Sequence, residues 1–322
     1  MVNVAPVEEP AGVVLRSKPE RDRPRMDPPN VLWFAGTYAI AAASYALLGA
    51  LPKSHSSVWI LLAALAFLVV YSAASHGLMR NGWWVPSGLA AALAVAMVPA
   101  VGVGFLRLID VWSSDMPLTD FNGCAVAVAI ATAAAGLIAY FLTRFSFLLS
   151  TVVAALLVTA QFLALAGDSS ANGDDRATAA LVTGALVVVA GVFLDAFGRR
   201  REAFWFHALG LLSAAAGLIF FVVESAGDTA RGWIPMLVVG TLLVIVSGPI
   251  RRSTWAVYGV LGYYASLLHY LIASLNERGW KFAVALLAVG LSIFVFGMLL
   301  RRYGERWAAR FVRRPPPGVT PT

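Results

Sequence analysis

From residue 31 to residue 300 the chain is a succession of apolar runs of about twenty residues, each closed by charge, Gly, Pro or Asn. The runs lie near 31–51, 57–78, 85–109, 121–142, 146–166, 177–197, 203–223, 233–249, 255–275 and 280–300. A bilayer core about 30 Å thick takes roughly 20 apolar residues of helix. Lipid offers no partner to a peptide group, so a segment that crosses it must satisfy its own N–H and C=O groups by coiling into an α-helix. The polar/apolar alternation of a membrane β-barrel is missing from the runs. The expected fold is therefore all-α: a polytopic transmembrane helical bundle of about ten spans, built as helical hairpins over 31–300.

The turns on one side share a grammar. Arg80 with Trp83, Arg144 with Phe147, Arg201 with Phe204 and Arg252 with Trp255 each set an aromatic residue three positions after an arginine. A guanidinium reaches lipid phosphates while the aromatic ring sits at headgroup level, which is boundary chemistry. The spacings of 64, 57 and 51 residues match two spans plus two turns. They fit either a repeated hairpin, as in many transporters, or one boundary requirement met four times. The densest stretch, FLDAFGRRREAFWFH at 193–207, reads as such a turn, with anionic lipid headgroups as the partner of its arginines, rather than as a catalytic or nucleic-acid site.

Composition agrees. Of 322 residues 60% are hydrophobic and 13% charged, against about 25% charged in soluble domains, and the mean hydropathy is +0.78. The net charge of +7 and pI near 9.9 do not indicate nucleic acid, because the basic residues come in short clusters between apolar runs. If the N-terminus is cytoplasmic, 18 of the 24 Lys and Arg residues lie inside and six outside, so the bias of positive charge places both termini in the cytoplasm. Residues 1–30 mix Pro with both charge signs and read as a disordered cytosolic tail. Residues 301–322 read as a basic, Pro-rich cytosolic tail. All ten tryptophans fall within a few residues of a span limit, as an aromatic belt requires.

An ionisable group within a span costs from about 2.5 kcal/mol upward, so each one needs a partner, water or a boundary position. Asp195 and His207 flank the arginine turn at similar depth and make a candidate polar site on the inner side. They form either a hydrogen-bonded pair, or, separately, an Asp195–Arg199 ion pair at i,i+4 and an interfacial His207. On the outer side Arg107, Asp110, Glu224 and His269 line a vestibule or act separately as helix-end groups. Gly123, Ala127, Ala131, Ala135 and Ala139 form a stripe at four-residue spacing, suited to close helix packing. Pro99 to Gly104 is the strongest candidate break in a span. The lone Cys124 excludes an internal disulfide. The sequence shows no phosphate loop, HExxH, CxxC or GxSxG motif, and no cofactor or metal is expected.

The succession RNGWWVPSGLAAALAVAMVPAVGVGFLRLIDVW, RFSFLLSTVVAALL, DAFGRRREAFWFHALGLLSAAAGLIFF and RRSTWAVYGVLGYYASLLHYL resembles an uncharacterised family of multi-pass bacterial membrane proteins. This resemblance implies a bacterial inner-membrane location and supplies no catalytic residue. Span number and length are also similar to the drug/metabolite transporter superfamily, in architecture alone. Two functions follow as expectations: a transporter of a small or amphipathic solute, or a non-catalytic scaffold or accessory subunit that docks a membrane-protein partner or a second copy. An enzyme acting on lipid would need the polar residues above to converge on a cavity.

Overall fold

The computed structural model describes residues 28–51, 56–112, 123–164, 173–224, 229–250 and 252–274, together with 283, 284, 287, 290, 291, 294, 295 and 298. Among the described residues nine helices follow one another: α1 Pro28–Gly49, α2 Ser56–Arg80, α3 Trp84–Leu108, α4 Gly123–Thr143, α5 Leu148–Leu163, α6 Gly173–Ala196, α7 Arg200–Glu224, α8 Thr229–Ile250 and α9 Ser253–Ser274. No strand occurs among the described residues. Seven helices, α1 to α4 and α6 to α8, are long and apolar enough to cross a bilayer, while α5 has only 16 residues. The all-helical architecture and these seven helices fit an integral membrane protein. The expected tenth span, 280–300, is described only at scattered helical positions, and the tails at 1–30 and 301–322 lie almost wholly outside the described residues.

The helices pair as hairpins, α2 with α3, α4 with α5, α6 with α7 and α8 with α9, and among the described residues these four pairs make the most extensive contacts. Each hairpin closes through one of the short arginine turns. At Gly82 and Gly198 the backbone enters the left-handed region, with φ of 79° and 77°. Trp83 and Arg199 then donate back five residues to the carbonyls of Leu78 and Leu194, which satisfies the open end of each helix. Only glycine adopts this conformation without strain. Aromatic rings bring the turns together at one end: Trp33 lies 6.2 Å from Trp83, Phe34 5.4 Å from Phe147, and Phe147 5.0 Å from Trp205.

The four arginine–aromatic pairs do not occupy one structural position. Arg80 ends α2 before its turn, Arg144 lies in a turn with φ of 56°, Arg201 is the second residue of α7, and Arg252 precedes α9. Trp83 is exposed while Trp255 is buried. The shared spacing therefore reflects a common boundary requirement rather than superimposable units.

Close helix approach is set by glycines other than those of the expected stripe. A Cβ on Gly184 would sit 2.6 Å from the Gly210 carbonyl oxygen, and one on Gly210 would sit 2.8 Å from that of Gly184. Gly240 and Gly259 make the same mutual contact between α8 and α9. In α4 the buried face carries Ala125, Ala129, Ala133 and Gly136, and Gly123, Ala127 and Ala131 are exposed. Helix α3 runs unbroken through Pro99, and its first half is the most buried part of the molecule. There Ala91, Ala92 and Val95 pack with Tyr140, Leu148 and Leu149 beneath the turns.

Candidate functional site

Two polar constellations flank the α6–α7 turn. The first contains Asp195, one turn before Gly198, and His207, on the second turn of α7. The His207 Nε2 lies 2.9 Å from Asp195 Oδ2, and the ring is fully buried. Asp195 does not pair with Arg199. Its carboxylate is held instead by Arg252, 57 positions away, whose Nε donates to Oδ2 at 3.0 Å and whose Nη2 donates to Oδ1. The same Nη2 donates to the Arg200 carbonyl at 2.8 Å.

On the far side of the imidazole, the Trp255 indole N–H donates to His207 Nδ1 at 3.2 Å. An indole nitrogen is only a donor, so Nδ1 must accept and Nε2 must carry the proton that faces the carboxylate. Every polar atom of the ring thus has a partner, and the charge of Asp195 is answered by Arg252. Gly191 makes room for the ring: a Cβ there would come within 3.0 Å of His207 Cε1. The cluster clamps the α6–α7 hairpin to the start of α9.

The second constellation is open. Arg199 turns away from Asp195 and donates to the Tyr140 hydroxyl at 2.8 Å, and that hydroxyl donates to Glu202 Oε1 at 2.9 Å. Arg199 also lies 3.5 Å from Glu202. These three side chains form part of the wall of a cavity of about 460 Å³, which Thr143, Arg144 and Arg201 also line. Arg199 lies outside the spans, and Tyr140 and Glu202 strengthen its hold on its proton.

Beside the core cluster, and sharing Ala91 and Val95 with it, lies a second cavity of about 560 Å³ between α2, α3 and α4. Its wall is mostly apolar, from residues such as Leu68, Val95, Val98 and Ile138, with Ser72, Ser75, His76 and Thr143 as its polar points. Thr143 belongs to both walls. The lower members of the expected small-residue stripe, Ala135 and Ala139, line this apolar cavity, and Ala127 and Ala131 line a groove of about 310 Å³ against α3. Asp195 and His207 line none of the three.

Of the outer candidates, Arg107 and Asp110 lie on a different part of the bundle from His269. Arg107 is in the last turn of α3 and Asp110 follows it with φ of 55°. Among the described residues they form no ion pair, and the Arg107 Nε is buried without a partner. His269 is on α9, stacked on Trp233 with ring centroids 4.1 Å apart. Glu224 closes α7, and its side chain lies outside the described residues. Among the described residues α3 packs against α1, α2, α4 and α5 but not against α9, so Arg107 and Asp110 have no direct packing route to His269.

Arg252, Trp255, Tyr140 and Glu202 are the residues that sequence reasoning passed over. Arg252 and Trp255 were visible only as one more boundary pair, and Glu202 only as an acid beside three arginines. Among the described residues no three His, Cys, Asp or Glu side chains gather as metal ligands would. Comparison with protein-family models, curated proteins and solved structures finds no match to this chain.

Proposed function

We propose that the protein is a multi-pass protein of a bacterial inner membrane, with its arginine turns and both termini in the cytoplasm, that binds and transports an amphipathic solute. One observation carries the reading: an apolar cavity of about 560 Å³ and a charged cavity of about 460 Å³ share Thr143 in their walls. An amphipath needs such a pair, hydrocarbon-like walls for its tail beside fixed charge for its head. The small polar residues of the apolar cavity, Ser72, Ser75 and His76, provide hydrogen-bonding points without a fixed charge at depth.

Flux of fluorescent amphipaths of both charge signs into proteoliposomes tests the reading. Uptake above that of protein-free vesicles is expected for at least one anionic member. Folded, correctly inserted protein that moves none of the panel would overturn it. A second reading, a scaffold or accessory subunit, is favoured by the exposure of Gly123, Ala127 and Ala131, a small-residue face on which another helix can seat. Cross-linking from cysteines placed at Ala127 and Ala131 tests it, and a monomer with no cross-linked product would count against it.

A further inference from the structure

We propose that the cavity walled by Arg144, Arg199 and Arg201 is a binding site for a phosphoryl anion. The inference deepens the reading above and rests on it for the molecule that carries the phosphoryl group. Binding and flux are measured separately, so one can fail without the other.

Three arginines and one glutamate line the cavity, which leaves two positive charges in excess. Glu202 does not neutralise them evenly. Its carboxylate is engaged by the Tyr140 hydroxyl and by Arg199, whereas Arg144 and Arg201 form no ion pair among the described residues. The Arg144 guanidinium lies 5.6 Å from the centre of the Phe141 ring. All three arginines are exposed, so solvent weakens their mutual repulsion, and an anion seated between them removes what remains.

Helix ends add to the field. Trp84 and Val85 begin α3, Phe145 and Ser146 precede the start of α5, and Arg201 and Glu202 belong to the first turn of α7, and all of them line the cavity. Three helix N-termini therefore border one space, each contributing partial positive charge, although the first-turn N–H groups of α5 at Leu148, Leu149 and Ser150 already donate to carbonyls of the turn before it. Gly88 brings the α4–α5 turn against α3, since a Cβ there would overlap the Phe145 ring at 2.3 Å.

The chemistry of the donors selects the anion. Guanidinium forks match the oxygens of a phosphoryl group in bidentate fashion. Arriving from the α4–α5 turn and from both sides of the α7 start, three forks suit a tetrahedral head better than a planar carboxylate. A phosphomonoester carries up to two negative charges near neutral pH, equal to the excess in the wall. Such a group is presented either by a lipid such as phosphatidate or by a free phosphorylated solute.

The test uses the full chain purified in detergent. Native mass spectrometry compares retention of phosphatidate with that of phosphatidylcholine, and equilibrium dialysis measures binding of inorganic phosphate. Preferential retention of phosphatidate without phosphate binding identifies a lipid carrier, and phosphate binding identifies a free solute. In either case Arg201→Gln lowers affinity about tenfold, the size expected for one charge-assisted contact. Arg144→Asn, which tolerates the left-handed backbone at that position, does the same. Equal retention of the two lipids with no phosphate binding would overturn the proposal, as would unchanged affinity in both variants. Absence of flux with binding intact sinks only the transport reading.

Discussion

The two constellations beside the α6–α7 turn start four residues apart and solve the same problem in opposite ways. Asp195 points toward α9, where Arg252 cancels its charge and His207 and Trp255 use up the remaining hydrogen-bonding capacity. Arg199 points toward α4, into a cavity where positive charge exceeds negative. In a low-dielectric setting a fixed charge is tolerable either when neutralised internally or when a mobile counterion can reach it. The first arrangement fastens two hairpins together. The second is left ready to receive something, so the residues with the most reactive side chains are the structural ones.

The largest expected effect tests the closed cluster. Asp195→Ala leaves Arg252, 15% exposed, without its carboxylate, and removing one partner of such a pair costs about 3 kcal/mol. Unfolding of purified protein by titrated SDS in mixed micelles measures it. Adding Arg252→Ala to Asp195→Ala should recover part of the loss, because the stranded charge goes too. Equal stability of wild type and Asp195→Ala would break the comparison at its root.

Next in size is the packing that holds the hairpin carrying both sites. Gly184→Leu forces a side chain against the Gly210 carbonyl and the Ala214 backbone, both within 3 Å of the Cβ position, at a cost of about 2 kcal/mol. The same SDS titration reads it. Ala127→Leu on the exposed face of α4 should change stability by less than about 0.5 kcal/mol. If the two substitutions behave alike, the assignment of α4's small residues to an unpacked face is mistaken.

These contrasts mark what the sequence disclosed. Hydrophobic run length located all nine described helices within a few residues, because lipid leaves the backbone only one regular solution. The arginine–aromatic spacing marked where the hairpins close, while the left-handed backbone that Gly82 and Gly198 supply there became visible only in the fold. The stripe from Gly123 to Ala139 is covered only in part, since Ala139 packs against the core while Gly123, Ala127 and Ala131 are exposed; four-residue spacing shows that a face is small without showing how much of it another helix covers. The actual contact glycines, Gly184 with Gly210 and Gly240 with Gly259, belong to different helices, and only their mutual position reveals them. Asp195 and His207 lie twelve residues apart across one turn, close enough to be suspected as a pair. Arg252 enters from the next hairpin, a register no single-chain periodicity encodes.

Within the closed cluster, Trp255→Phe keeps an aromatic ring against His207, whose centroid lies 5.6 Å from that of Trp255, and removes only the indole donor. A buried Nδ1 without its partner costs about 1 kcal/mol. Measured by the same titration, a loss as large as that of Asp195→Ala would mean that ring packing and not the hydrogen bond is what matters there.

The smallest effect on stability is the one that sharpens the comparison most. Arg201 is exposed and makes no ion pair among the described residues, so Arg201→Gln should leave the SDS unfolding midpoint unchanged to within about 0.5 kcal/mol. Relief of repulsion from Arg144 and Arg199 works slightly in its favour. A residue that can be neutralised at no structural cost, while its neighbour Asp195 cannot, is held in place by something other than the fold. If Arg201→Gln destabilises the protein as Asp195→Ala does, the cavity is a second clamp, and its excess charge is already answered within the chain.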